Sequence, residues 1–347
     1  MRSVARRICL VSAGLAAAAV GVLPALAAGQ AGPQVPTGPA TAAPTKATPL
    51  KRESPPPRPA HLSVQVKGAH DGTLRVGRPA RVVGYLHPFV AGQRVVVKLT
   101  RRGHAVAKRN PFVRHVPGKN RGRFNLRSRS LIKPGTYRVL AQHPGNAAQE
   151  RAVARSSKFH ISYPNLHPGD RNTTVRLFNR LLLRQGYFTT HGKHYSSKTG
   201  FAVMAFRKVN GMSRTFKASR GIFKKLAAGH GSFHLKHPGA GKHVEVDISK
   251  QVMVLAQHGK PKYTYHVSTG APATPTIRGH YHFYSRQPGF NSEGMYYSVY
   301  WHGGYAIHGY HSVPPYPASH GCVRNPIPES RFIYNWVKLG MSIYTYN

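Results

Sequence analysis

"HVEVDISKQVMVL", residues 243–255, decides how the C-terminal third of the chain is read. Val244, Val246 and Ile248 alternate with Glu245 and Asp247, the period of a strand with one buried and one solvated face. Ser249-Lys250 reads as a turn, and Val252-Met253-Val254-Leu255 begins the returning strand. An antiparallel hairpin is therefore expected directly after the break at Pro238-Gly239-Ala240-Gly241. Downstream, Tyr281 to Tyr284, Met295 to Trp301 and Met341 to Tyr346 read as further strands, with one helix over about Glu329 to Leu339. Residues 241–347 are expected to form a mostly β domain.

Upstream of that break the period is helical. Val175, Phe178 and Leu182, then Ala202-Val203, Phe206 and Val209, place apolar residues three and four apart. Gly186 and Gly211 stop these two helices, and Asp170, Asn172 or Thr173 caps the first. Residues 164–230 resemble the three-helix peptidoglycan-binding domain of wall hydrolases. The matched positions are Val175, Leu177, Leu182, Gly186-Tyr187, Thr199, Ala202-Val203, Phe206, Asn210-Gly211 and Leu226. Asn179 and Arg207 stand where that family usually has glutamine.

From 61 to about 163, short alternating runs are punctuated by Gly and Pro: Leu62–Val66, Arg81–Leu86, Val95–Leu99, Phe124–Leu126, Tyr137–Leu140 and Phe159–Ile161. Six runs at this spacing imply a small antiparallel β-sandwich. Pro134-Gly135-Thr136-Tyr137 resembles the turn entering a late strand of bacterial immunoglobulin-like (Ig-like) domains, and a spacer without a site of its own is expected. Residues 29–60, rich in Pro, Ala, Gly and Thr, read as a semi-extended linker too poor in large apolar groups to order itself.

The first 28 residues read as a secretory signal. Arg2, Arg6 and Arg7 precede an apolar run from Ile8 to Leu26, and Ala25-Leu26-Ala27 supplies the small-x-small cleavage pattern. No lipobox precedes Cys9, and a retained anchor is the competing reading. No other stretch is apolar enough to span a bilayer, so the processed chain is expected to be exported to the cell wall, periplasm or medium without a membrane span. The full sequence has 51 Lys+Arg against 8 Asp+Glu, a net charge of +43. Such a chain is drawn to polyanions; for an exported protein these are anionic cell-wall polymers rather than a specific nucleic acid.

Of the two cysteines, Cys9 lies in the leader, so the exported chain carries the single thiol of Cys322. Exported proteins use cysteines in pairs, which leaves intermolecular pairing or chemistry to explain it, with a buried structural thiol as the bland alternative. A catalytic thiol needs a proton acceptor and positive surroundings. His308, His311 and His320 are all near in sequence, and the region is basic. Gly321 permits a tight turn, so the amides of Gly321 and Cys322 are candidate donors to a developing oxyanion.

Ile307-His308-Gly309 followed by Ser319-His320-Gly321-Cys322-Val323-Arg324 closely resembles the YkuD-type L,D-transpeptidase family. Val267-Ser268-Thr269-Gly270, Thr274-Pro275-Thr276 and Gly279 extend the resemblance across most of 241–347. It implies that Cys322 attacks a peptidoglycan tetrapeptide stem beside its terminal D-alanine, that His308 is the base, and that the Gly309 carbonyl orients the imidazole. It implies a cross-link between two third-position residues, or carboxypeptidase action if water replaces the acceptor amine. Ser319 and Arg324 are assigned to substrate placement or loop support, His320 to the loop, and Tyr305, Tyr310 and Tyr316 to walls of the cleft. No cofactor or metal is expected. His280-x-His282 and His191-x-x-His194 do not form an HExxH zinc motif, and acidic partners are scarce. NlpC/P60 peptidases place the cysteine before the histidine, opposite to the order here. The rival from another class is a non-catalytic wall-binding protein. The expected fold class is thus multidomain: an Ig-like β-sandwich, a small helical domain and a mostly β catalytic domain.

Overall fold

The computed structural model describes residues 54–347. The signal reading at 1–28 and the linker up to residue 53 lie outside the described residues. Arg58 exchanges backbone hydrogen bonds with Ala148 and Glu150, so the chain is docked two residues before the expected end of the linker.

The alternating runs fold as β1 (His61–Lys67), β2 (Thr73–Arg75), β3 (Pro79–His87), β4 (Val96–Arg101), β5 (His104–Arg109), β6 (Arg114–Val116), β7 (Lys119–Ser130), β8 (Gly135–His143), β9 (Ala152–Arg155) and β10 (Phe159–Ser162). One sheet runs β1-β3-β7-β6; the other runs β2-β10-β8-β4-β5, with β9 on β8. Val82, Leu86, Val97, Leu99, Phe124 and Val139 fill the space between them. Gly84 is required there, because a Cβ would come within 2.0 Å of the Phe124 ring. Five of the six sequence runs fall within a strand, and the sixth, Val95–Leu99, enters β4 at Val96. The other four strands are short or, like β5, lack alternating large apolar residues, and pairing rather than pattern makes them strands.

Three helices follow: α1 (Thr173–Arg184), α2 (Ser197–Val209) and α3 (Arg220–Ala227). Of the three candidate caps, Asn172 takes the role, its side chain accepting from the Val175 amide at 3.0 Å. Gly186 and Gly211 adopt φ of +79° and +63° just past α1 and α2, which spares a side chain the left-handed strain. Thr174 Oγ1 donates to the Val76 carbonyl at 2.7 Å, and the helices and the two sheets share one apolar core. Asn179 and Arg207 are both buried and committed internally. Asn179 donates to the Gly192 carbonyl and Arg207 to those of Lys217 and Ser213, so both hold loops.

The last part contains β11 (His243–Asp247), β12 (Val252–Gln257), β13 (Lys260–His266), β14 (Gly279–His282), β15 (Ser285–Phe290), β16 (Tyr296–His302), β17 (Tyr305–Tyr310), β18 (Val323–Pro326), α4 (Ile327–Trp336) and β19 (Ser342–Tyr346). Its sheets run β13-β12-β11-β19-β14 and β15-β16-β17-β18. Val244, Val246, Met253 and Ile343 from one pack with Val299, Ile307 and Val323 from the other.

The opening hairpin forms around the expected turn, with Glu245 opposite Val254, but its first strand is not half-solvated. Every residue of β11 is buried, Glu245 completely. β11 lies between β12 and β19, and the preceding segment crosses its outer face, with Phe233 against Val252 and Val254. Burial alone would push the Glu245 carboxyl up, yet bonds from His243, Tyr346 and the Lys236 and His237 amides hold it down, at about 2. The alternation was real; what faces its polar side is protein rather than water. α4 also differs from expectation, starting two residues before Glu329 and ending three before Leu339, because buried Val337 turns extended.

Candidate active site

β17 and β18 lie side by side and parallel, with Ile307 opposite Val323, His308 opposite Arg324 and Gly309 opposite Asn325. Residues in register share a face, as do residues two apart on a strand, so His308 and Arg324 leave the same side and Cys322, just before β18, follows their phase. Parallel strands need a long connection. The stretch from His311 to Gly321 is that connection, and it returns the chain so that Cys322 stands just before Val323, the partner of Ile307.

His308 is buried, and its Nδ1 lies 3.0 Å from the Gly309 carbonyl. A carbonyl only accepts, so Nδ1 carries the proton and Nε2 holds the lone pair. Burial, helped by the Arg324 guanidinium and opposed by the Gly309 bond, pulls the imidazole down to about 4. Cys322 is half-buried, and its thiol donates to the Gly304 carbonyl at 3.5 Å. Burial pushes this thiol up, outweighing the Ala306 backbone bond and Arg324, which act the other way. The basic surroundings expected to ionise the sulfur are therefore overridden by desolvation. At neutral pH the strands present a neutral thiol and a neutral imidazole.

Gly321 adopts φ of +110°, and a Cβ there would lie 2.6 Å from Tyr305 Cε1. Only glycine lets that ring rest against the backbone beside the sulfur. The Gly321 amide donates to Ser319 Oγ at 3.2 Å, so one of the two candidate oxyanion donors is engaged within the loop. Ser319, itself buried, donates onward to the Cys322 carbonyl at 2.6 Å, so its hydroxyl serves the loop rather than a substrate. Arg324 donates to the Ala318 carbonyl at 3.0 Å while its guanidinium lies 4.1 Å from the centre of the Tyr310 ring. Tyr310 in turn stands edge-on to His308, at 5.7 Å between centroids. Tyr305 and Tyr310 thus border the site, whereas Tyr316 projects into solvent. His311 and His320, the alternative bases, are both exposed.

The loop has supports that residue types alone did not assign. Thr276 Oγ1 donates to the Gly321 carbonyl at 2.7 Å and accepts from the Gly270 amide at 2.9 Å. Thr274 Oγ1 donates to the Ser319 carbonyl at 3.0 Å, and Ser268 exchanges backbone bonds with Arg324. Among the described residues, no group of three or more His, Cys, Asp or Glu is placed to hold a metal ion.

The helices also reach this loop. Lys208 of α2, 4% exposed, donates to the Gln251 and Val267 carbonyls at 2.9 and 2.8 Å and to His266 Nδ1 at 2.7 Å. His266 Nε2 donates to the Val313 carbonyl at 2.9 Å, and Arg214 donates to the Pro315 carbonyl. Burial, with Arg214 adding to it, drives the Lys208 amine down to about 6. Three acceptors at hydrogen-bond distance nevertheless match the three donors that only the ammonium form has. Lys208→Met is expected to lose about 2–4 kcal/mol of stability, since three buried acceptors lose their partner while one desolvated charge is removed. Urea unfolding measures this, and a loss below about 1 kcal/mol would refute it.

Residues 241–344 match the YkuD family, described as the L,D-transpeptidase catalytic domain. The fold and this match define the class: a mostly β catalytic domain of L,D-transpeptidase type. A crystal structure of the L,D-transpeptidase from Xylanimonas cellulosilytica DSM 15894 is similar, at 28% identity over 53% of this chain and 98% of that one, with a TM-score of 0.50. More distant are an L,D-transpeptidase from Stackebrandtia nassauensis, 20% identical over 52% and 95% of the chains with a TM-score of 0.33, and one from Mycobacterium tuberculosis H37Rv, 12% identical over 81% and 96% with a TM-score of 0.29. No curated protein matches the chain.

Proposed function

We propose that this chain is an exported cysteine L,D-transpeptidase that joins peptidoglycan stems. Cys322 Sγ attacks the carbonyl carbon between the third residue of a tetrapeptide stem and its terminal D-alanine. His308 Nε2 takes the thiol proton and gives it to the departing D-alanine amine, leaving a thioester. The side-chain amine of a second stem then attacks that thioester. Its proton returns to the sulfur through His308, and the new amide links two third-position residues. Water in place of the amine makes the same site a carboxypeptidase.

The observation that carries this reading is the register of β17 on β18, with His308 Nδ1 held by the Gly309 carbonyl and Nε2 therefore basic. A neutral thiol asks for a base at the moment of attack, and a neutral imidazole supplies one. The similarity of 241–344 to L,D-transpeptidases supports the substrate class. The basic surface suits anionic wall polymers as a resident partner, and the helices 173–227 suit a wall-contacting module. No helix among the described residues is long and apolar enough to cross a membrane.

Incubation of the protein with purified tetrapeptide stems, read by mass spectrometry, tests the proposal. Free D-alanine with a stem dimer supports transpeptidation, and D-alanine with tripeptide alone supports the carboxypeptidase. Unchanged stems, with no mass adduct on Cys322 after carbapenem exposure, would leave the non-catalytic wall-binding protein.

A further inference from the structure

The sandwich is not sealed at one side. β5 pairs only with β4, and β7 pairs with β6 only as far as Arg123, so two unpaired edges face each other. Between them lies a groove of about 740 Å3. Its floor is apolar, with Val97, Leu99 and Leu126 among the walls. Its lips carry Val106 and Ile132, 49% and 55% exposed, in a chain whose other sandwich aliphatics are mostly buried. Around this apolar slot stand Arg101, Arg109, Arg127, Arg129 and Lys133, and no acidic residue lines it. Arg101 is partly engaged by the Pro134 carbonyl, whereas Arg109, Arg127, Arg129 and Lys133 are exposed.

A surface patch of charge alone would suit any polyanion, and an apolar slot alone any oily group. The two together select a molecule with an aliphatic chain and an anionic head. The volume falls within the range of small-molecule sites. We propose that the sandwich binds a free single-chain anionic amphiphile, its chain between the sheets and its carboxylate or phosphate among Arg109, Arg127, Arg129 and Lys133. This assigns the sandwich a ligand site of its own, separate from Cys322 and independent of the reading of the catalytic part.

Titration of the full protein with myristate, read by displacement of anilinonaphthalene sulfonate fluorescence, tests it. The expected result is saturable binding of one molecule per chain. Arg127→Glu combined with Arg129→Glu should weaken it at least about tenfold by reversing the charge that meets the head group. Ala107→Trp should abolish it by filling the slot, with a melting curve confirming the fold; if that variant unfolds, Val106→Glu on the exposed lip takes its place. Dodecyltrimethylammonium should bind at least about tenfold more weakly than myristate. Equal affinity for the cationic amphiphile, or indifference to these variants, overturns the proposal. So does capture of phosphatidylglycerol vesicles without myristate binding, or a self-associated dimer that covers the groove.

Discussion

Cys322→Ser is expected to lower stem turnover by at least about 10³-fold and to eliminate the carbapenem mass adduct, while the fold and wall pelleting stay intact. The replacement is nearly isosteric, and the bond the sulfur donates to the Gly304 carbonyl is one a hydroxyl also makes. What changes is acidity. Burial already holds the thiol above its ordinary range, so attack depends on proton transfer to a base pulled down to about 4. A serine hydroxyl is far less acidic than a thiol, and so weak a base does not compensate. Turnover of stems by the variant at near parental rates would place the nucleophile elsewhere.

His308→Gln is expected to lower kcat/KM by about 10²–10⁴-fold and to change the shape of the pH profile. In the parent the base is neutral above about 4, so activity should be flat through neutrality and fall as pH drops through that value. Without the imidazole, attack relies on spontaneous ionisation of a thiol that burial has pushed up. Residual activity should then climb with pH well into the alkaline range. A variant that keeps both the flat profile and the acid limb would show that His311 or His320 is the base.

Much of the site was legible because its chemistry is carried by rare residues. The one cysteine among the described residues and the glycine before it mark a candidate nucleophile and turn without any geometry, whereas His308 was picked out from His311 and His320 by the family resemblance. The details that residue types left open depend on how the loop turns on itself and on neighbours far along the chain. The Gly321 amide turns inward because Ser319 Oγ is there to receive it. Ser319 is a loop brace because its hydroxyl is buried between that amide and the Cys322 carbonyl. β18, with the sequence Val-Arg-Asn-Pro, has no strand period of its own and is a strand because β17 offers it a parallel edge. Lys208, Arg214 and His266 carry no local sign that they hold the loop, since their partners lie 43 to 101 residues away.

By itself the sequence determined where the β, helical and β parts lie, because the periods of two and of three to four are local consequences of backbone geometry. It also singled out Cys322 as the candidate nucleophile, since few residue types can attack a carbonyl, and its resemblance to the YkuD-type family favoured His308 as the candidate base over His311 and His320. Only the tertiary structure decided their states. Burial depends on what packs from elsewhere, and it is burial that keeps the thiol protonated, the imidazole neutral and Glu245 walled in on a strand whose pattern promised it water.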